Sequence, residues 1–284
     1  MTAPRPRILL FGGSGKVGTA LRAVFAGQYQ VTSPGRDALD VRDGGRVRQI
    51  VSETGPDIVI NAAAFAGIDA CEDDPAGALE VNTLFPKLLA ELSRERGFLL
   101  VHFSSDAVFS GRSSGYYDEQ SAAAPVNMYG FTKFGADCFI SAIAKRYYIA
   151  RISIQFGACS RNAQFVEKML EKVSNGQRHL RISDDITASP SHSADVARAV
   201  RQLIEGSAPS GLYHIANSGK ASLYRLICEM VSNLGLDAAI DPVPQASFPS
   251  KGVKNGYTPI TSTKLPPLRS WQEAAADYCS KWQR

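Results

Sequence analysis

The sequence predicts an α/β fold: a doubly wound parallel sheet of Rossmann type, followed by a smaller α/β portion that would serve the substrate. Three observations carry this expectation. A short apolar run ends in a glycine-rich turn at residues 12–18. Strand and helix patterns alternate from residue 7 to about 153. Beyond that point the alternation loosens.

The elements follow in order. "RILLF" (7–11) reads as a strand, "GGSGKVG" as a tight turn and "TALRAVFA" as a helix. "YQVTS" (29–33) is a weaker second strand, and "DIVINAAA" (57–64) is a continuous apolar third strand, as a strand buried on both faces should be. "ALEVNTLFPKLLAELSRERG" (78–97) reads as one amphipathic helix closed by Arg94, Arg96 and Gly97. "FLLVHFSS" (98–105) and "YYIARIS" (147–153) are the fourth and fifth strands, with a helix around Tyr129 between them. Helices are expected at 162–176, 193–206 and 222–235, a short strand at 211–217 and a last helix carrying Trp271 and Trp282. The division drawn is a dinucleotide-binding domain over 1–153, with a return segment near 180–215, and a mainly substrate-binding portion over 154–284.

Bulk composition narrows the function classes. The chain has 284 residues, 44% hydrophobic and 20% charged, with net charge +4. These are values of an ordinary globular protein. The mild positive balance suits anionic small ligands and argues against nucleic acid as a partner. No window approaches 18 uninterrupted apolar residues, so no membrane span is expected. The five cysteines (71, 138, 159, 228 and 279) stand far apart. They read as reduced thiols of a cytoplasmic protein, and the four histidines have no metal-ligand spacing, so no metal is expected. His102 reads as a satisfied core histidine.

Gly12, Gly15 and Gly18 form G-x-x-G-x-x-G between the first strand and the first helix. Such glycines permit the tight turn and let the backbone approach a pyrophosphate resting on the helix N-terminus. Ser14, Lys16 and Val17 in the turn join them as cofactor candidates, as do Ala62, Ala63 and Ala64 after the third strand. Where NAD-binding folds commonly place an acidic residue, "VTSPGRDALD" reaches Arg36 first. A cation there favours NADP, with NAD as the second choice through Asp37 as ribose partner. Asp40 and Val41 would flank an adenine.

In "APVNMYGFTK", Tyr129 and Lys133 stand one helical turn apart, so phenol and ammonium share a face. An adjacent ammonium is expected to lower the tyrosine pKa and make it a usable proton donor.

With the glycine turn, "NAAA" and "YGFTK" in view, the chain resembles the extended short-chain dehydrogenase/reductase superfamily, and within it the dTDP-4-dehydrorhamnose reductase family. "LDVRD", "DIVINAAAFAGIDACEDDP", "EVN", "HFSSDAVFSG", "SPSHSADVARAV" and "GLYHIANSGKAS" occur in the family's order. The resemblance implies NAD(P)H-dependent reduction of a nucleotide-linked 4-keto sugar. It assigns Ser105 as hydroxyl partner, Tyr129 as proton donor and Lys133 as the residue that tunes Tyr129 and holds the nicotinamide ribose. Ser105, Asp106, Ala107, Ile154 and Ile68 would border the substrate. Expected partners are the small nucleotide sugar and, at most, a second copy in a homodimer.

Departures are visible as well. Ala107 and Ile154 stand where many members carry a tyrosine and a tryptophan, and Ile186 lies near the place of a usual glutamine. Smaller side chains there would widen the sugar pocket. Two other readings compete. One is a sugar-nucleotide epimerase. The other is a non-catalytic NADP-binding regulatory subunit resembling that of methionine adenosyltransferase, whose "SPTH"-like segment is similar to "SPSH" (189–192). Asn82 would either order the helix beside the site or cap local backbone, and Glu72 and Asp73 would start a solvated helix or sit at the substrate mouth.

Overall fold

The computed structural model describes residues 5–159 and 164–282. In chain order the first elements are β1 (Arg7–Phe11), α1 (Lys16–Phe25), β2 (Gln30–Thr32), α2 (Gly44–Thr54), β3 (Ile58–Asn61), α3 (Ile68–Asp73) and α4 (Pro75–Leu79). There follow α5 (Phe85–Arg96), β4 (Leu99–Ser105), α6 (Met128–Ile143) and β5 (Tyr147–Ile152). The remainder is β6 (Gln155–Phe156), α7 (Phe165–Ser174), β7 (His179–Ser183), β8 (Thr187–Ala188), β9 (Ser191–His192), α8 (Ser193–Glu205) and β10 (Gly211–His214). Last come β11 (Ala221–Ser222), α9 (Leu223–Asn233), β12 (Ala239–Val243) and α10 (Trp271–Ser280).

Six strands form one parallel sheet in the order β10-β5-β4-β3-β1-β2. The order reverses at β1, and the crevice at the carboxyl ends of β1 and β3 is where such sheets bind ligands. Successive residues of β1 serve opposite faces, as the two-residue strand period requires. Ile8 and Leu10 pack with Leu21 and Phe25 of α1 and Val196 and Val200 of α8. Leu9 and Phe11 pack with Val47 and Val51 of α2 and Phe85 and Leu89 of α5. Both faces are therefore covered.

The helix expected over 78–97 differs in its path. Helical backbone begins at Pro75 and passes through a π-turn at Glu80–Leu84 before α5. The cause is in the sequence. Pro86 has no N–H to return to the preceding turn, and the amide of Phe85 bonds instead to the carbonyl of Glu80.

The second portion has its own core. Phe156, Val166, Leu170, Ile182, Leu226, Met230, Trp271, Ala275 and Tyr278 pack together. Trp282 packs against that cluster. The segment that returns to the main sheet is α8 with β10. His179–Ser183, placed with it by the sequence reading, pairs instead with β12 inside the smaller portion. Residues 162 and 163, expected to begin α7, lie outside the described residues. Among the described residues, no helix is long and apolar enough to cross a membrane.

Candidate active site

The glycine turn is shaped by close backbone approaches. Gly12 has φ of +80°, and a Cβ there would fall 2.5 Å from the carbonyl carbon of Ala62. A Cβ on Gly18 would fall 2.1 Å from the oxygen of Gly12. Gly15 differs, because a Cβ there would meet nothing nearer than 3.5 Å. Two glycines thus close the turn against β3 and α1, and the third leaves its outer side open to a phosphate.

The turn forms one wall of a cleft of about 1240 Å³. Gly12, Ser14, Gly15, Lys16, Val17, Gly18, Arg36, Asp40, Val41, Ala62, Ala63 and Ala64 all line it. Arg22, Arg42 and Ser33 line it too, and the sequence reading missed them. Asp37 is not among the lining residues, whereas Arg36 stands exposed at the rim. Asp40 is engaged by Arg42, whose Nη2 lies 2.6 Å from Oδ2. That guanidinium holds the Asp40 carboxyl down at about 2. An open turn at a helix N-terminus, with Arg22 and Arg36 lining the same cleft, fits the diphosphate of a dinucleotide.

Lys16 lines the cleft, and its ammonium is buried and paired. Nζ donates to the carbonyl of Gln155 at 2.7 Å and lies 2.6 Å from Glu167 Oε2 of α7. The cause is burial, since an enclosed ammonium requires a counter-charge.

Ser105 ends β4. Its Oγ accepts from the amide of Ala107 at 3.1 Å and donates to Asp106 Oδ1 at 3.2 Å. Asp106 is a hydrogen-bond junction. Its Oδ2 accepts from Ser153 Oγ at 2.6 Å and from Thr258 Oγ1 at 3.0 Å. Burial pushes the Asp106 pKa up, and these three hydroxyls oppose the shift.

The helix bearing Tyr129 is started by Asn127, whose Oδ1 accepts from the amide of Gly130 at 2.8 Å. Asn127 Nδ2 also donates to the carbonyl of Val253 and to Asn255 Oδ1. Glu72, half-buried near the end of α3, accepts at Oε1 from the amide of Met128 at 2.9 Å. Asn82 spans from the backbone of Phe65 to Thr132 of α6, which orders the segment beside the site.

Tyr129 corrects the expected electrostatics. Burial pushes its phenol up to about 12, against a hydrogen bond with Ser105 that pulls it down. Lys133 Nζ donates to the carbonyl of Phe103 at 2.5 Å, and burial pulls its own pKa to about 8. Helical spacing puts the two side chains on one face; the carbonyl at the end of β4 decides where the amine rests.

Of the remaining candidates, Ile68 packs close to Gly252, where an added Cβ would lie 2.6 Å from Ile68 Cγ2. Ala107 is buried, with its carbonyl under Gly130 of α6. The partly buried side chain of Ile154 packs against the C-terminal core.

A glycine-turn cleft on a doubly wound parallel sheet, with Tyr129 and Lys133 one turn apart on α6 and Ser105 at the end of β4, is the arrangement of an extended short-chain dehydrogenase/reductase. The model of the family described as RmlD substrate binding domain matches residues 6–284. The chain belongs to this family, that of the dTDP-4-dehydrorhamnose reductases. It is 33% identical to a dTDP-4-dehydrorhamnose reductase of Streptomyces griseus, over 96% of this chain and 93% of that protein. It is 30% identical to a probable dTDP-4,6-dihydroxy-2-methyloxan-3-one 4-ketoreductase of Streptomyces antibioticus, over 94% and 92%. The crystal structure of dTDP-4-dehydrorhamnose reductase from Bacillus anthracis, in complex with NADP, superposes with a TM-score of 0.93 at 25% identity, over 98% of this chain and all of that one.

Proposed function

We propose that the chain is an NADP-dependent reductase of a dTDP-linked 4-keto sugar, with Ser105, Tyr129 and Lys133 as its catalytic residues. The contact of Ser105 with Tyr129, on a fold whose glycine turn borders a dinucleotide-sized cleft, carries this reading. The relatives, named as reductases of dTDP-linked sugars, support the substrate class.

The nicotinamide cofactor, when bound, supplies the hydride, and the chain's residues do the rest. Gly12, Gly15 and Gly18 with the amides of the turn would hold its diphosphate. Arg36 would take a 2′-phosphate at the rim, with Arg22 adding positive charge to the same cleft. Tyr129 holds the proton at Oη that the new alcohol requires. A phenol raised to about 12 remains protonated at neutral pH and gives up its proton only when the substrate oxygen gains charge. Ser105 stands beside it as a second hydroxyl for that oxygen.

Ala107, in place of the aromatic residue common in the family, supports a sugar substituted differently from 4-dehydrorhamnose. Steady-state kinetics with NADPH and a panel of dTDP-linked 4-keto sugars test both levels. A preferred sugar other than dTDP-4-dehydrorhamnose is expected, by about 1–3 kcal/mol in kcat/KM. Reduction of none of them overturns the activity, and a clear preference for dTDP-4-dehydrorhamnose overturns the finer assignment.

A further inference from the structure

A buried polar chain runs behind Lys133. Ala63 N–H donates to Asn61 Oδ1 at 3.1 Å. Asn61 Nδ2 lies 3.1 Å from His102 Nδ1, and Lys133 Nζ lies 3.5 Å from His102 Nε2. Asn61 and His102 are wholly buried, at 0% exposure each.

The direction of the chain follows from its first member. A backbone amide can only donate, so Asn61 must turn its oxygen to Ala63 and its NH₂ to the histidine. His102 Nδ1 is then an acceptor. A neutral imidazole with Nδ1 unprotonated carries its proton on Nε2, the nitrogen that faces Lys133. Burial and the nearby Lys133 charge pull the His102 pKa well below its ordinary value, which keeps the ring neutral. The N–H of Nε2 thus points at the lysine nitrogen. It can donate to a neutral amine, which has a lone pair, but it opposes an ammonium, which has none.

We propose that His102, fixed as the Nε2–H tautomer by Asn61, is a positioning residue that governs how readily Lys133 releases its proton. This rests on the reading of Lys133 as part of the reductase triad. The other groups around Lys133 are Tyr129 and Asp137 on its own helix and Cys71 on α3. Asp137 and Cys71 act the opposite way, favouring the ammonium. Asp137 is itself committed to Arg151 of β5, with Nη2 to Oδ2 at 2.9 Å. His102 is the neighbour from β4 that selects for the neutral amine.

Two measurements test this. Long-range ¹H–¹⁵N correlation spectra of cofactor-free wild-type protein read the tautomer directly, with His102 assigned by its loss in His102→Gln. The expected result is an Nε2–H imidazole that does not titrate near neutral pH; an Nδ1–H tautomer, or an imidazolium forming near pH 6.5, overturns the proposal. This arm holds whether or not any sugar is turned over.

The second is the pH dependence of Lys133, from ¹³Cε-labelled lysine and from the kcat profile of the reductase. His102→Phe keeps a ring but removes the donor, so the neutral amine loses its partner. The Lys133 transition and the alkaline limb should rise together by about half a unit to one unit, with substrate KM unchanged. His102→Gln, which restores an N–H, should bring them part of the way back. A folded His102→Phe protein with an unmoved lysine transition overturns the proposal. Absence of turnover in the wild type counts against the reductase reading instead, and the lysine spectrum still decides the tuning.

Discussion

The ammonium of Lys16 and the carboxylate of Glu167 lie 2.6 Å apart, with side-chain exposures of 3% and 7%. Lys16 opens α1 directly after the glycine turn and Glu167 lies on α7, so this pair ties the cofactor cleft to the smaller portion. Breaking it leaves a charge stranded in a low-dielectric interior. Glu167→Leu is expected to destabilise the protein by about 3–5 kcal/mol. The double variant Lys16→Met, Glu167→Leu should recover most of that loss, because no charge then remains buried. Urea unfolding of both variants checks this; a single variant within about 0.5 kcal/mol of wild type would contradict the buried-pair account.

Arg36 sits exposed at the cleft rim. Arg36→Ala should weaken NADPH about ten- to hundredfold and leave NADH nearly unchanged, since only the phosphorylated cofactor offers it a dianion. Equilibrium titration with each cofactor measures the difference. Equal losses would return the arginine to the role of a solvated loop residue.

Asp106 joins Ser105 to Ser153 and Thr258. Asp106→Asn replaces one acceptor oxygen with a donor, so Ser105 loses its anchor if Oδ1 is replaced, and Ser153 and Thr258 lose theirs if Oδ2 is. The expected loss in kcat is about ten- to hundredfold, with cofactor affinity preserved. Thr258→Val should cost less, because Ser153 and Ser105 keep their bonds. A larger defect from Thr258→Val than from Asp106→Asn would show that the junction is ordered differently.

The alternating elements, the glycine turn and the Tyr129 helix were legible because each is written locally. β1 is five consecutive residues, and Tyr129 and Lys133 lie within a single helical turn. Pro86 was equally visible and signals the π-turn to anyone who asks where its missing amide would have bonded. What escaped is long-range. Asn127 meets Asn255 across 128 positions, and Asp106 meets Thr258 across 152. No periodicity encodes such pairings. The pairing of Lys16 with the distant Glu167 escaped for the same reason. His102 reads as a core residue in an apolar strand, and only the fold places it against Lys133. The expected lowering of the tyrosine pKa gives way to a rise because spacing on a helix fixes only a shared face, whereas burial of the phenol dominates its electrostatics.

The central claim is that Tyr129 donates the proton to a reduced keto sugar. Rapid-mixing single-turnover kinetics of Tyr129→Phe beside the wild type, with NADPH and the preferred dTDP-linked 4-keto sugar, test it most directly, with NADPH binding measured in parallel. The change removes one hydroxyl and retains the ring, so cofactor affinity should stay within about threefold of wild type, while the reduction step slows by about 10²–10⁴-fold. A Tyr129→Phe protein that reduces the sugar at the wild-type rate would contradict the account.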